Sequence, residues 1–167
     1  MIVAGLDCST KMSGISIMED GELKFYTLID IHKEKDAMER IRIMLTKICE
    51  VLDQHDIDAV YMEKAFSKAN VDTTMKLANL AGGIMLYCAR REIEFMHPLP
   101  SEWRKEIGLQ QGKGVKRDVL KAEAIAVVKQ EYDIDVNDDI AESILLARSA
   151  FDLPKINITE DDIWEMV

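Results

Sequence analysis

The N-terminal part of the chain alternates apolar and polar positions in the way that is typical of β-strands. Residues 2–7 form an apolar run that closes on a carboxylate, and residues 14–18 alternate apolar and polar side chains. The segment Glu19-Asp20-Gly21 has the composition of a tight hairpin turn, and residues 23–29 continue as a third strand. The pattern therefore predicts an antiparallel meander at the start of the chain.

Beyond this meander, helical and strand-like periods of apolar residues alternate. Residues 35–55 carry an apolar stripe that predicts a helix, and residues 57–62 form a β-branched run that ends at Glu63. The later segments predict a strand at 92–96 and helices at 72–91, 102–107, 116–131 and 139–151. Three antiparallel strands followed by alternating strands and helices predict an α/β fold, with a mixed five-stranded sheet flanked by helices.

The length of 167 residues suits one domain with one sizeable core. We find no internal repeat and no long linker, so we expect a single domain over 1–167 with an acidic tail at about 154–167. The apolar run at residues 1–6 is interrupted by Asp7, and no other stretch approaches about 20 uncharged apolar residues. These features exclude a membrane span and a secretory signal, and we expect a cytoplasmic protein.

The cysteines and histidines form no pattern typical of a zinc site or a catalytic triad. The three cysteines are widely spaced, without a C-x-x-C motif or a histidine at zinc spacing. We expect reduced thiols that pack as small apolar side chains. The residues concerned are Cys8, Cys49 and Cys88, and the scattered histidines are His32, His55 and His97.

The formal net charge of −10 argues at first against a nucleic-acid partner. Residues 131–167 alone carry a net charge of −9, however, so the rest of the chain is nearly neutral. Within that rest, residues 101–121 carry a net charge of +3. The acidity is therefore local, and a basic segment remains available for phosphate contacts.

Four acidic residues stand where predicted elements begin or end. Asp7 closes the first strand, Glu63 closes the fourth, and Asp139 and Glu142 begin the last helix with i, i+3 spacing on one face. Carboxylates are the hard oxygen ligands that Mg²⁺ prefers, and two metal ions can support phosphodiester hydrolysis. Each residue also has an ordinary structural interpretation. Asp7 fits a turn, Glu63 a solvated strand end, and the Asp139 to Glu142 spacing a helix cap.

Three motifs resemble those of the RuvC Holliday junction resolvases in order and spacing. They are Gly5-Leu6-Asp7-Cys8-Ser9, Met62-Glu63-Lys64-Ala65-Phe66 and Asp138-Asp139-Ile140-Ala141-Glu142-Ser143. The chain looks most like the short phage-encoded members, including those of lactococcal phages. The resemblance implies a ribonuclease-H-like fold, a homodimer, and Asp7, Glu63, Asp139 and Glu142 as catalytic ligands of Mg²⁺ or Mn²⁺, two ions per active site.

The match departs from the family pattern at its last motif. Glu142 stands where bacterial RuvC proteins usually carry Asp, and the extra methylene lengthens the reach of the carboxylate. Asp138 is i, i+4 from Glu142 and could replace Asp139 as a ligand. Either Asp139 or Asp138 could therefore be the metal ligand at the start of the last helix.

Four residues are candidates for DNA contact. Lys113, Lys116 and Arg117 lie on a glycine-flanked loop that leads into a helix, where they suit phosphate contacts. Phe66 follows Glu63 by three residues, and its ring could stack on a base exposed at the crossover or pack under the next helix. The loop lacks the spacing and the Ser/Thr of a nucleotide-binding P-loop.

The predicted helix 72–91 is apolar on more than one face. One face should cover the sheet, and the surplus fits a two-fold interface between subunits or a wholly buried helix.

These features together predict a metal-dependent endonuclease that nicks Holliday junctions and other branched DNA with relaxed sequence preference, in recombination, repair or phage DNA processing. A ribonuclease H or an RNA-processing nuclease of the same fold is the main alternative. An actin-like ATPase or sugar-kinase domain is suggested by Asp7-Cys-Ser-Thr-Lys11 but would need a second domain. A non-catalytic nucleic-acid-binding module would not explain the carboxylate pattern.

Overall fold

The chain opens with a meander of three strands, β1 (Ile2–Cys8), β2 (Met12–Glu19) and β3 (Glu22–Asp30). The computed structural model describes residues 1–64, 71–110 and 114–156. Asp20 and Gly21 both have positive φ angles, 50° and 86°, as the tight turn between β2 and β3 requires. The predicted hairpin is confirmed.

The remaining elements follow the predicted order, and each predicted strand and helix has its counterpart. They are α1 (Ala37–Leu52), β4 (Ala59–Met62), α2 (Val71–Arg90), β5 (Glu94–Met96), α3 (Pro100–Ile107), α4 (Arg117–Tyr132) and α5 (Asp138–Arg148). Two elements begin later than predicted, for local reasons. The Asp36 side chain accepts a hydrogen bond of 2.8 Å from the Glu39 amide, so α1 begins two residues later than predicted. Glu92 has a φ of 58°, which delays the start of β5.

The sheet of the described residues has five strands in the order β3-β2-β1-β4-β5. β1 pairs antiparallel with β2, and β2 pairs antiparallel with β3. β4 pairs parallel with β1 on one side and with β5 on the other. The mixed five-stranded sheet and the adjacency of the first and fourth strands are therefore confirmed.

Each face of the sheet is covered by its own helices. Ala4 and Leu6 of β1 point into a core shared with α1 and α2. Val3, on the alternate face of the same strand, packs in a second core with α3, α4 and α5. Because side chains alternate across a strand, Gly5 and Asp7 share the α5 side with Val3.

Helix α5 lies unusually close to β1 and β2. A Cβ atom on Gly5 would overlap the carbonyl oxygen of Ser143, and one on Gly14 would overlap the carbonyl oxygen of Asp139. Ser16 adds a buried hydrogen bond of 2.8 Å from its hydroxyl to the Ser143 carbonyl. Small residues on the two strands thus set the distance between α5 and the strand that ends in Asp7.

Some predicted features lie outside the described residues. They are Phe66, Lys113 and most of the acidic tail, from residue 157 onward. The described start of the tail packs on the fold, because Ile156 is buried and its amide donates to the Ile107 carbonyl at 2.8 Å. Among the described helices, none has the length and apolar character needed to cross a membrane.

Candidate active site

Asp7 and Glu63 meet at one edge of the sheet because their strands are parallel neighbours. Leu6 of β1 pairs with Met62 of β4, and the next residue on each strand is a carboxylate. The amide of Glu63 also donates to the Leu6 carbonyl at 3.3 Å, which continues the ladder to that point. The two acidic residues are thus placed side by side by strand pairing alone.

Helix α5 brings the second pair of carboxylates to the same edge. Asn137 caps this helix, and its side-chain oxygen accepts from the Ile140 amide at 3.1 Å. The cap is therefore Asn137 and not an aspartate, which leaves Asp138 and Asp139 free for other contacts. Glu142 follows Asp139 by one turn, on the same side of the helix.

The pKa shifts show how strongly these groups act on one another. Burial raises the pKa of Asp7 well above its usual value, and the charges of Glu142, Glu63 and Asp139 raise it further. Burial and then Glu142 raise the pKa of Glu63 from 4.5 to about 7. Burial and then Asp138 raise the pKa of Asp139. All four predicted carboxylates therefore gather in one partly desolvated cluster of excess negative charge.

Within the described residues, no three acidic, cysteine or histidine side chains already stand in ion-binding geometry. Glu63 and Glu142 are instead turned toward hydrogen-bond donors on α3. The donor set still fits a hard divalent cation, since it offers only carboxylate oxygens and carries charge that a cation would offset. Asp7, Glu63, Asp139 and Glu142 are the residues that could hold Mg²⁺ or Mn²⁺.

Asp138 occupies a different environment from its neighbour. Its carboxylate forms an ion pair with Lys121 of α4. Asp139 forms no such pair in the contacts of the described residues, and its pKa rises by burial and by neighbouring negative charge. These contacts favour Asp139 over Asp138 as the ligand.

Sequence reasoning missed two residues of α3 that contact the cluster. The Trp103 indole Nε1 donates to Glu63 Oε2 at 2.8 Å, and Arg104 Nη2 donates to Glu142 Oε1 at 3.0 Å. From the sequence alone, Arg104 was included only in the net charge of the basic segment 101–121, as if it were a surface residue. Its side chain is in fact buried, with 2% exposed. Its position directly beside the apolar stripe of Trp103 and Ile107 was the available signal.

The start of α4 places positive charge beside the carboxylates. Lys116 is the N-cap residue and Arg117 the first helical residue, and both are exposed. Burial dominates the raised pKa of both Glu63 and Asp139, and the charge of Arg117 acts against that rise at both sites. The predicted contact residue Arg117 therefore borders the cluster, and the predicted contact residue Lys116 precedes it at the start of the helix.

The cysteines are free thiols, as expected. Cys88 is buried, and Cys8 and Cys49 are half-buried. Burial, followed by the charge of Asp7, raises the pKa of the Cys8 thiol far above its usual range, so this thiol is not poised to act as a nucleophile.

Comparison with known proteins gives a consistent result. Residues 3–146 match the family model described as crossover junction endodeoxyribonuclease RuvC. The crossover junction endodeoxyribonuclease RuvC of Campylobacter hominis is 27% identical over 154 residues, covering 89% of this chain and 97% of that protein.

Solved structures agree in fold. Thermus thermophilus RuvC in complex with a Holliday junction substrate superposes with a TM-score of 0.72 at 16% identity, over 89% of this chain and 91% of the other. The fowlpox virus resolvase, solved with Holliday junction DNA, superposes with a TM-score of 0.57 at 15% identity, over 90% of this chain and 96% of the other. The predicted ribonuclease-H-like fold and the RuvC resemblance are confirmed.

Proposed function

This chain belongs to the RuvC family of crossover junction endodeoxyribonucleases, and we propose that it nicks Holliday junctions and other branched DNA in recombination, repair or phage DNA processing. The observation that carries this proposal is the cluster of Asp7, Glu63, Asp139 and Glu142 at one edge of the sheet, where burial and neighbouring negative charge raise the pKa values of Asp7, Glu63 and Asp139. A ribonuclease H or RNA-processing activity becomes the lesser alternative.

The proposed role of the four carboxylates is to bind two divalent cations, Mg²⁺ or Mn²⁺. Such ions, when bound, lower the pKa of water and offset charge on a phosphate that is being cleaved. The protein supplies hard oxygen donors whose negative charge is only partly offset by nearby basic residues. It also fixes their positions through the β1–β4 pairing and the close packing of α5.

The basic start of α4 is the proposed phosphate-contacting surface. Lys116 and Arg117 are both exposed there, and the charge of Arg117 acts on Glu63, so a DNA backbone held by these two residues would pass close to the cluster. Lys113 and Phe66, which lie outside the described residues, stay predicted DNA contacts. No described segment supplies an evident set of base-reading side chains, which supports the expectation of weak sequence preference.

A homodimer is proposed from α2. Its exposed apolar side chains include Val71, Met75 and Met85, in a stripe completed by the small residues Ala78 and Gly82. A Cβ atom on Gly82 would meet nothing within 4 Å, so a second helix could approach closely there. Two copies related by a two-fold axis would present two active sites to a two-fold junction.

The experiment that tests this function is a nicking assay over a panel of substrates. We expect Mg²⁺-dependent nicks near the branch point of four-way junctions, forks and flaps, and little cleavage of linear duplex. Cleavage of RNA–DNA hybrids in preference to all branched DNA would favour the alternative activity. Cuts confined to one short sequence, with forks untouched, would contradict the relaxed preference. A phage origin and a location in the host cytoplasm stay predictions.

A further inference from the structure

Helix α3 holds two of the four carboxylates through two adjacent side chains. Trp103 donates to Glu63 at the end of β4, and Arg104 donates to Glu142 on α5. Trp103 and Arg104 are both 2% exposed, so the two donors are shielded from bulk water, while the Glu142 side chain that accepts from Arg104 is 17% exposed. We propose that Trp103 and Arg104 are positioning residues that set the orientation of Glu63 and Glu142 for cation binding. This inference rests on the metal-dependent function proposed above.

Each contact engages only one oxygen of its carboxylate. Trp103 reaches Oε2 of Glu63, and Arg104 reaches Oε1 of Glu142. The second oxygen of each group keeps its lone pairs for a cation. A glutamate has more rotatable bonds than an aspartate, so the two glutamates of the cluster are the members that most need such a restraint. The outer donors fix their direction in the way that hydrogen-bond partners orient metal ligands in general.

Arg104 is itself fixed by a buried network. Its guanidinium donates to Glu123 Oε2 at 3.0 Å, to the Leu120 carbonyl at 3.1 Å and to the Gln110 carbonyl at 3.4 Å. Glu123 is also buried and accepts from the Gln110 amide at 3.3 Å. An arginine buried in this way needs such partners, because an unpaired buried charge is strongly unfavourable.

Glu123 has a second consequence for the charge of the site. Arg104 and Glu123 together are neutral, so Arg104 can donate a hydrogen bond to Glu142 without cancelling the negative charge that a cation needs. Without Glu123, Arg104 would act as a competing cation at Glu142. The pair Arg104–Glu123 therefore carries no net formal charge, and at Glu63, where burial dominates the raised pKa, the charge of Arg104 offsets only part of that rise.

The test compares Mn²⁺ binding by isothermal titration calorimetry, without DNA, in variants that remove one donor each. Trp103→Phe keeps an aromatic ring and loses the indole N–H. The double variant Arg104→Met/Glu123→Gln removes the donor to Glu142 together with its counter-charge. We expect each to bind Mn²⁺ about 10–100-fold more weakly, the range typical of lost outer partners of metal ligands. The nicking activity of each variant should need a correspondingly higher Mn²⁺ concentration and should recover when Mn²⁺ is saturating. Arg104→Lys should lose less Mn²⁺ affinity than the double variant.

The chain offers matched controls. Arg148 on α5 is another buried arginine, paired with Glu131 at 3.5 Å and with the Pro154 carbonyl at 2.9 Å, away from the carboxylates. Arg148→Met/Glu131→Gln removes a comparable network, and Ile107→Val loosens the packing of α3 without loss of a donor. Both controls should bind Mn²⁺ as the wild type does.

Wild-type Mn²⁺ affinity in the folded Trp103→Phe and Arg104→Met/Glu123→Gln variants would overturn the proposal, as would an equal loss in the controls. If the double variant does not fold, the comparison of Mn²⁺ affinity between Trp103→Phe and Ile107→Val tests the proposal by itself. Asp7→Asn serves as the reference that loses binding. Undiminished Mn²⁺ binding by Asp7→Asn would instead contradict the proposed metal site itself, a failure that is separate from that of the positioning role.

Discussion

At the scale of single residues, the site is marked by carboxylates that are difficult to ionise. The pKa of Glu63 rises from 4.5 to about 7, chiefly through burial and then through Glu142. A raised folded-state pKa means that the folded protein binds a proton more tightly than the unfolded chain between these values. The contribution of Glu63 to the stability of the metal-free protein is therefore fully present below about pH 4.5, is lost as pH rises toward about 7, and does not change further above that value.

The first prediction follows from the direction in which the Glu63 contribution to stability changes with pH. In the presence of a chelator, Glu63 should lower the free energy of unfolding by up to roughly 3 kcal/mol between about pH 4.5 and 7. Glu63→Gln retains a carbonyl that can accept from Trp103 but does not titrate, so its stability should fall less over the same window. Urea denaturation at about pH 5 and about pH 8 measures the difference. An identical pH dependence in wild type and variant would show that Glu63 ionises as an ordinary surface group.

The second prediction separates two neighbouring aspartates. Asp138 is paired with Lys121, while Asp139 shares the charge of the cluster. We expect Asp139→Asn to lose more nicking activity than the roughly 100-fold typical of lost outer partners. Asp138→Asn should stay within about that factor of the wild type. Initial rates at saturating Mg²⁺ decide between them, and the reverse order of effects would transfer the ligand role to Asp138.

At the scale of elements, the site depends on how closely α5 lies on the sheet. Gly14 has no room for a Cβ atom, because the backbone of Asp139 occupies that space. The obstacle is backbone and not a flexible side chain, so α5 would have to move.

The third prediction is that Gly14→Ala destabilises the fold by about 3 kcal/mol, at the upper end of the range for overpacking, and also weakens Mn²⁺ binding. Urea denaturation and calorimetry measure the two effects. Ser16→Ala is the matched control, since it removes the hydroxyl bond to Ser143 without adding volume beside Asp139. Wild-type stability in Gly14→Ala would mean that the α5 packing does not set the geometry of the site.

The identity of the elements was predictable from the sequence, and their closest contacts were not. Apolar periodicity and turn residues predicted the meander and the later helices, because they reflect which face of each element is buried. The close docking of α5 depends on Gly5 and Gly14, whose role appears only once the helix is placed over them. The burial of Arg104 likewise depends on partners from α4 and α5 that are distant in sequence.

At the scale of the whole molecule, the exposed stripe on α2 is the feature that a monomer does not explain. We expect sedimentation equilibrium to give twice the 19.0 kDa mass of one chain. Met75→Glu places a charge in the stripe and should shift the protein toward monomers. Met38→Glu on α1 is the matched control, since Met38 and Met75 are 64% and 63% exposed. Monomeric wild-type protein that still makes paired nicks would refute the α2 interface.

The carboxylate cluster, the basic start of α4 and the proposed dimer form one account of a metal-dependent nuclease for branched DNA. Asp7 is the central residue of the cluster, because burial and the charges of all the other acidic residues there raise its pKa. Asparagine has nearly the same shape as aspartate but is a much poorer metal ligand.

The most direct test is therefore the nicking rate of Asp7→Asn on a four-way junction with Mg²⁺, with Asp56→Asn as a control at an exposed acidic residue away from the cluster. We predict that Asp7→Asn binds the junction and leaves it uncut, while Asp56→Asn cuts at the wild-type rate. Cleavage by Asp7→Asn at a rate near that of the wild type would contradict the account.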